Sequence, residues 1–139
     1  SAASLSPDGK WLAYVSNETG LVQLYVRPFP RGEGKWQISM DVAMRVDWSA
    51  DGKTLFYGTP NTITAVPIAG ARSLTAGQPH VILKDYHGVN VESEVSYDIA
   101  PDGKSILVTQ PKEGEGTYQQ INVVLNWFEE IKKTVTAGK

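Results

Sequence analysis

Cysteine is absent from the 139 residues, which excludes disulfides and thiolate metal sites and leaves the redox compartment undecided. Long apolar runs are also missing. The longest mostly apolar stretch, Ile121 to Phe128, is interrupted by Asn122 and Asn126 and is too short to cross a bilayer, so no membrane insertion is expected. Like charges never run beyond pairs such as Lys132-Lys133, and the net charge is −2. That leaves no electrostatic footprint for nucleic acid or anionic lipid. The N-terminus, Ser-Ala-Ala-Ser, shows neither a basic region nor an apolar h-region, so no signal peptide is read there. A start without Met points to a segment of something longer or a processed chain. With 41% apolar and 20% charged residues, the chain has an ordinary globular composition and is long enough to bury a core.

Against these absences stands one repeated feature. Ser6-Pro7-Asp8-Gly9-Lys10, Ser49-Ala50-Asp51-Gly52-Lys53 and Ala100-Pro101-Asp102-Gly103-Lys104 align, with Asp8, Asp51 and Asp102 spaced 43 and then 51 residues apart. Such periods predict the blades of a β-propeller. Each copy has hairpin chemistry: Pro presets φ, Asp bonds the local backbone, and Gly supplies positive φ on re-entry to a strand. Alternating segments flank the turns, Val46-Asp47-Trp48 and Tyr97-Asp98-Ile99 before them, Leu12-Ala13-Tyr14-Val15 and Leu55-Phe56-Tyr57 after. Third strands are read at 23–26, 62–66 and 121–125, and short fourth strands at 35–38 and 80–83. The expected fold is all-β: a single partial propeller domain, 1–139, of three antiparallel blades. Blade 1 covers about 1–40, blade 2 about 41–85 and blade 3 about 91–127. A short helix is predicted over about 127–133, with Asn126 and Glu129 as a capping box.

The Ser-Pro-Asp-Gly-Lys-Trp-Leu-Ala-Tyr-Val-Ser run resembles the WD40-like repeat of TolB-type propellers. The run from Ile121 to Lys132, and Tyr25-Val26-Arg27-Pro28-Phe29-Pro30 with Gly34-Lys35-Trp36, resemble the C-terminal blades of bacterial serine/threonine protein kinases that carry a propeller domain. None of the kinase signatures occurs here, so the resemblance implies no kinase activity. It implies sensing, docking or scaffolding, and an extracytoplasmic setting for the parent propeller.

Three blades alone expose two end faces, and the sequence shows no evident cap beyond the C-terminal helix. Two copies closing into a six-blade ring is therefore the expected homodimer. The functional expectation is a non-catalytic scaffold that self-assembles and binds a protein or small-molecule ligand, with no cofactor.

The alternative is a metal-assisted ester or phosphoester hydrolase built on the segment 85–98. If Val91 to Ile99 is the inner strand of blade 3, Glu92, Glu94, Ser96 and Asp98 share one face and His87 lies just before it. His87, Glu92, Glu94 and Asp98 are the candidate catalytic groups, and His87, Glu92 and Glu94 the candidate ligands for a divalent metal. The bland reading is a solvated or salt-bridged strand with Arg45 as its partner, while Asp47 and Asp98, at one repeat position, serve turn hydrogen bonding. Gly52-Lys53-Thr54 and Gly103-Lys104-Ser105 resemble the end of a phosphate loop, but Asp47 and Asp98 stand where its first Gly is needed, so they read as hairpins. Trp11 and Trp48, at repeat positions, are expected in the core, and Trp36 nearer an outer edge.

Overall fold

The computed structural model describes residues 2–84, 97–111 and 118–125, with backbone alone for 109–111 and 118–125. Every regular element among them is a strand, and the twelve strands form three antiparallel sheets in succession along the chain. Blade 1 orders β1 (Ala3–Leu5), β2 (Trp11–Ser16), β3 (Gln23–Pro28) and β4 (Trp36–Gln37) from inside to outside. Blade 2 orders β5 (Arg45–Trp48), β6 (Thr54–Gly58) and β7 (Ile63–Ala69). The outer side of β7 then takes two partners, β8 (Thr75–Ala76) at Ile68 and Ala69 and β9 (His80–Leu83) nearer its start. Blade 3 orders β10 (Tyr97–Ile99), β11 (Ser105–Pro111) and β12 (Tyr118–Leu125). The predicted C-terminal helix and Trp127 lie outside the described residues.

The repeat turns form as their chemistry dictates. Gly9, Gly52 and Gly103 take φ of 71°, 70° and 66°, the left-handed region in which a Cβ is disfavoured. Each Gly N–H donates to the carbonyl three residues back, at 2.8 to 2.9 Å. In the first two copies a serine and the aspartate lock the turn together. Ser49 Oγ donates to Asp51 Oδ1 at 2.6 Å and accepts the Thr54 N–H at 3.0 Å, while Lys53 N–H reaches Asp51 Oδ1 at 3.0 Å. Ser6, Asp8, Lys10 and Trp11 repeat the set. The serine hydroxyl and the following N–H hold both the Asp8 and Asp51 carboxyls below their ordinary pKa. With the folded pKa lowered, this contribution is present above the ordinary carboxylate pKa and is lost as pH falls through the depressed one.

The third copy has Ala100 where the others have serine, and keeps only the Lys104 N–H to Asp102 bond, at 2.8 Å. Ser49→Ala is expected to lower stability by about 1–2 kcal/mol, and Ala100→Ser to raise it by about 1 kcal/mol. Denaturant midpoints of the two single variants read both signs.

Blade faces follow from alternation and register. Residues at the Leu5, Trp48 and Ile99 position point backward, toward the preceding blade, as do those at the Leu12, Leu55, Ile106 position and the Tyr14, Tyr57, Val108 position. The Ala13, Phe56 and Leu107 position points forward. One core cluster closes the seam between blades 1 and 2, where Trp11, Ala13, Leu24 and Val26 meet Val46, Leu55, Tyr57, Val66 and Ile68. A second closes the seam to blade 3, where Phe56, Ile63 and Ala65 meet Tyr97, Ile106 and Val108. Trp11 is buried, as expected. Trp36 also belongs to this seam, packing edge-on against Trp11 with centroids 5.6 Å apart. Trp48 is half-buried, and its indole N–H reaches Ser4 O at 3.2 Å, tying the inner strands together.

The backward face of blade 1 is not the bare apolar sheet that the sequence suggests. Tyr14 and Tyr25 stack at 5.9 Å, and Lys35 lies over the Tyr25 ring while paired with Glu18 at 2.5 Å. Thr19 bonds Gln23 and Tyr25, and the Gln23 amide donates to Met40 O. Tyr25 is only 2% exposed, although no blade covers it. The outer half of this face thus carries its own polar cover, supplied by the β2–β3 loop and Lys35. Its inner half, with Leu5 46% exposed and Leu12 half-buried, stays open.

Candidate functional site

Of the sequence-predicted site, Asp98 is described, whereas His87, Glu92 and Glu94 lie outside the described residues. Asp98 sits in β10 with its side chain exposed, and its Oδ1 accepts the Ile99 N–H at 2.9 Å. Tyr97, on the other face of the strand, is 2% exposed. Among the described residues no three His, Asp or Glu side chains gather at metal-binding distance.

The charged group that the inner strands do assemble is centred on Arg45. Residues 45 and 47 share one face of β5, so Arg45 Nε reaches Asp47 Oδ2 at 2.6 Å. The guanidinium lies 4.4 Å from the centre of the Tyr97 ring in the next blade, a cation–π contact across the seam. Burial works against its charge, but Asp47, with smaller help from Tyr97 and Asp98, holds its pKa above the ordinary value. Nη1 is buried and has no hydrogen-bond partner among the described residues.

Two expectations are corrected here. Asp47 does not serve the turn, because its carboxylate is taken by Arg45. Nor does Arg45 form an ion pair with Asp98, since its guanidinium meets the Tyr97 ring on the opposite face of β10. The group is a clamp between blades: an ion pair only 16% and 26% exposed, capped by an aromatic ring.

At the turn end, neighbouring blades leave two clefts. The first, about 560 Å³, lies between Pro7, Asp8 and Trp11 on one side and Asp51 to Lys53 with Ile68 to Gly70 on the other. The second, about 180 Å³, separates Ser49 to Asp51 from Pro101 to Lys104. The carboxylates on these rims accept hydrogen bonds within their own turns. Gly52-Lys53-Thr54 and Gly103-Lys104-Ser105 sit in hairpins between strands, where a phosphate loop needs a strand-to-helix junction.

The whole arrangement is similar to TolB from Acinetobacter baumannii, with a TM-score of 0.53 and 18% sequence identity, over 90% of this chain and 32% of that one. At that identity the likeness concerns the fold, a TolB-like propeller. The chain spans about a third of the TolB chain it matches. No protein-family model and no curated protein matches the sequence.

Proposed function

We propose that the chain is a non-catalytic propeller scaffold whose ring is completed by a second copy, giving six blades around one axis. One observation carries this reading. At two successive backward positions, blades 2 and 3 bury what blade 1 leaves open. Leu55, Tyr57, Ile106 and Val108 are at most 4% exposed, while their counterparts Leu12 and Tyr14 are half-buried and Leu5 is 46% exposed. At the other end Leu107 is 42% exposed, where Ala13 and Phe56 are fully buried. The two ends of the arc therefore carry the two halves of an inter-blade contact, and two-fold pairing joins both pairs of ends at once. The polar cover over Tyr25 narrows the backward contact to the inner half of the blade.

The kinase-like run from Ile121 to Lys132 would place such a scaffold beside a catalytic domain, in an extracytoplasmic setting. The test is a light-scattering mass over a dilution series, with Leu12→Glu and Leu107→Glu alongside. The parent chain is expected at dimer mass and both variants at monomer mass with unchanged strand content. A parent mass fixed at monomer across the series would overturn the ring.

A further inference from the structure

The two ends of the arc depart from the repeat in complementary ways. On blade 1, β2 pairs Leu12 with Arg27 where blade 2 pairs Leu55 with Val66, so Arg27 holds the backward position of Val66. Val66 is 0% exposed in the seam between blades 1 and 2, whereas Arg27 is exposed. Two residues on, the Phe29 N–H donates to Lys10 O just as the Ile68 N–H donates to Lys53 O, each at 2.8 Å. Phe29 therefore matches Ile68, yet it is 39% exposed against 8%. Arg27 has no ion-pair or hydrogen-bond partner among the described residues. At the other end stands Asp102. With Ala100 in place of the turn serine, its carboxylate accepts the Lys104 N–H alone, where Asp8 and Asp51 accept a serine hydroxyl as well. Asp51 lines the clefts on both sides of its blade. Asp102 lines the cleft toward blade 2 and, by the same repeat position, borders the free face of blade 3.

We infer that Arg27 of one copy pairs with Asp102 of the other at each closing seam, so that two reciprocal ion pairs select which blade faces meet. This rests on the two-copy ring. Seating the back of blade 1 as the back of blade 2 is seated withdraws Arg27 from water. A guanidinium buried without a partner is costly, so the opposing face has to supply a carboxylate. Position singles out Asp102. Asp8 and Ile68 line the first cleft from its two sides, and their counterparts across a closing seam are Asp102 and Phe29, with Arg27 next along the same face. Asp98, the other described acid on the free face of blade 3, lies on the inner strand, two strands inward of the place that Arg27 would meet. Volume agrees as well. Trp11 shares a cluster with Val66, but its counterpart on blade 3 is Ser105, and exchanging an indole for a hydroxymethyl leaves room for a longer side chain opposite. Lys10 and Arg31, both exposed, add positive charge around Phe29, and the forked guanidinium suits a carboxylate that keeps one oxygen for its turn.

Charge reversal tests this by light scattering over a dilution series of the full chain. Arg27→Asp has carboxylates at both positions and Asp102→Arg has guanidinium groups at both. Each variant alone therefore sets like charge against like at both seams, while a one-to-one mixture restores both pairs. Each alone is expected to dissociate at concentrations about tenfold or more above the parent's, and the mixture to return to within about threefold of it. Asp102→Asn keeps an acceptor for the Lys104 N–H, so it separates a lost charge from a lost turn and should also weaken the dimer. Matching far-UV spectra show that each variant is folded. A parent dimer that both reversals leave equally tight, or a mixture no tighter than its components, overturns the pair and leaves the ring standing. Rescue of Arg27→Asp by Asp98→Arg but not by Asp102→Arg overturns it too, moving the contact to the inner strand. A parent at monomer mass throughout overturns the ring and the pair together.

Discussion

Phe56→Ala is expected to destabilise the chain by about 3–5 kcal/mol, the range for removing a large buried aromatic side chain. Phe56 heads the fully buried side chains by volume and is 0% exposed. It fills the seam between blade 2 and blade 3 together with Ile63, Ala65, Tyr97, Ile106 and Val108. All of these come from strands whose backbones are fixed by ladder pairing, so the cavity has little room to collapse. Leu107→Ala is the matching control, because Leu107 holds the same repeat position on blade 3 but is 42% exposed. In the monomer it should cost no more than about 0.5 kcal/mol, as surface changes do. Denaturant unfolding at two protein concentrations reads both. A cost that grows with concentration for Leu107→Ala alone would mark that residue as covered by a second copy. A Phe56→Ala cost below about 1 kcal/mol would contradict a closed seam.

Gly70→Ala should be the most damaging single methyl in the described chain, at about 3 kcal/mol or more. Gly70 directly follows β7 with φ at 114°, and a Cβ built there would lie 1.8 Å from the Ser73 carbonyl oxygen. The obstacle is backbone and cannot swing aside as a side chain would. Gly20 isolates the conformational part, since its φ is 91° but a Cβ there meets nothing within 4 Å. Gly20→Ala should therefore cost only about 1–2 kcal/mol, the ordinary penalty for a left-handed residue with a Cβ. Thermal midpoints of the two variants, measured together, separate steric from conformational loss. Equal shifts would show that the segment from 70 to 74 relaxes around the added methyl.

Most of the fold was legible because it is written in local chemistry. The Asp-Gly-Lys hairpins, the strands beside them, the short strands at Trp36–Gln37 and His80–Leu83 and the burial of Trp11 all follow from turn residues and alternation within a few positions. β8 escaped because Thr75 and Ala76 are exposed and lack alternation, and the pairing is set by β7 from across the sheet. Asp47 was misassigned to turn bonding for a related reason. A repeat alignment matches Asp47 with Asp98 but says nothing about Arg45, whose counterpart in blade 1 is Ala2. Only the spacing of two along a strand could have signalled that ion pair. The polar cover on blade 1 depends on Thr19, Lys35 and Glu18 reaching over Tyr25 and Gln23 from two separate loops, which no periodicity encodes.

The two seams are filled by opposite distributions of bulk, and this bears on how the chain avoids assembling in the wrong order. At the first, blade 1 offers a wide indole at Trp11 and a small methyl at Ala13, facing Leu55 and the larger Tyr57. At the second, blade 2 offers its bulk at Phe56, facing the smaller Val108. If the front of blade 1 docked on the back of blade 3, Ala13 would meet Val108 and leave a void. If two copies of blade 2 stacked, Phe56 would collide with Tyr57. Each mistake carries its own packing penalty, a cavity in one case and a clash in the other, so sheets with nearly interchangeable backbones are sorted by volume.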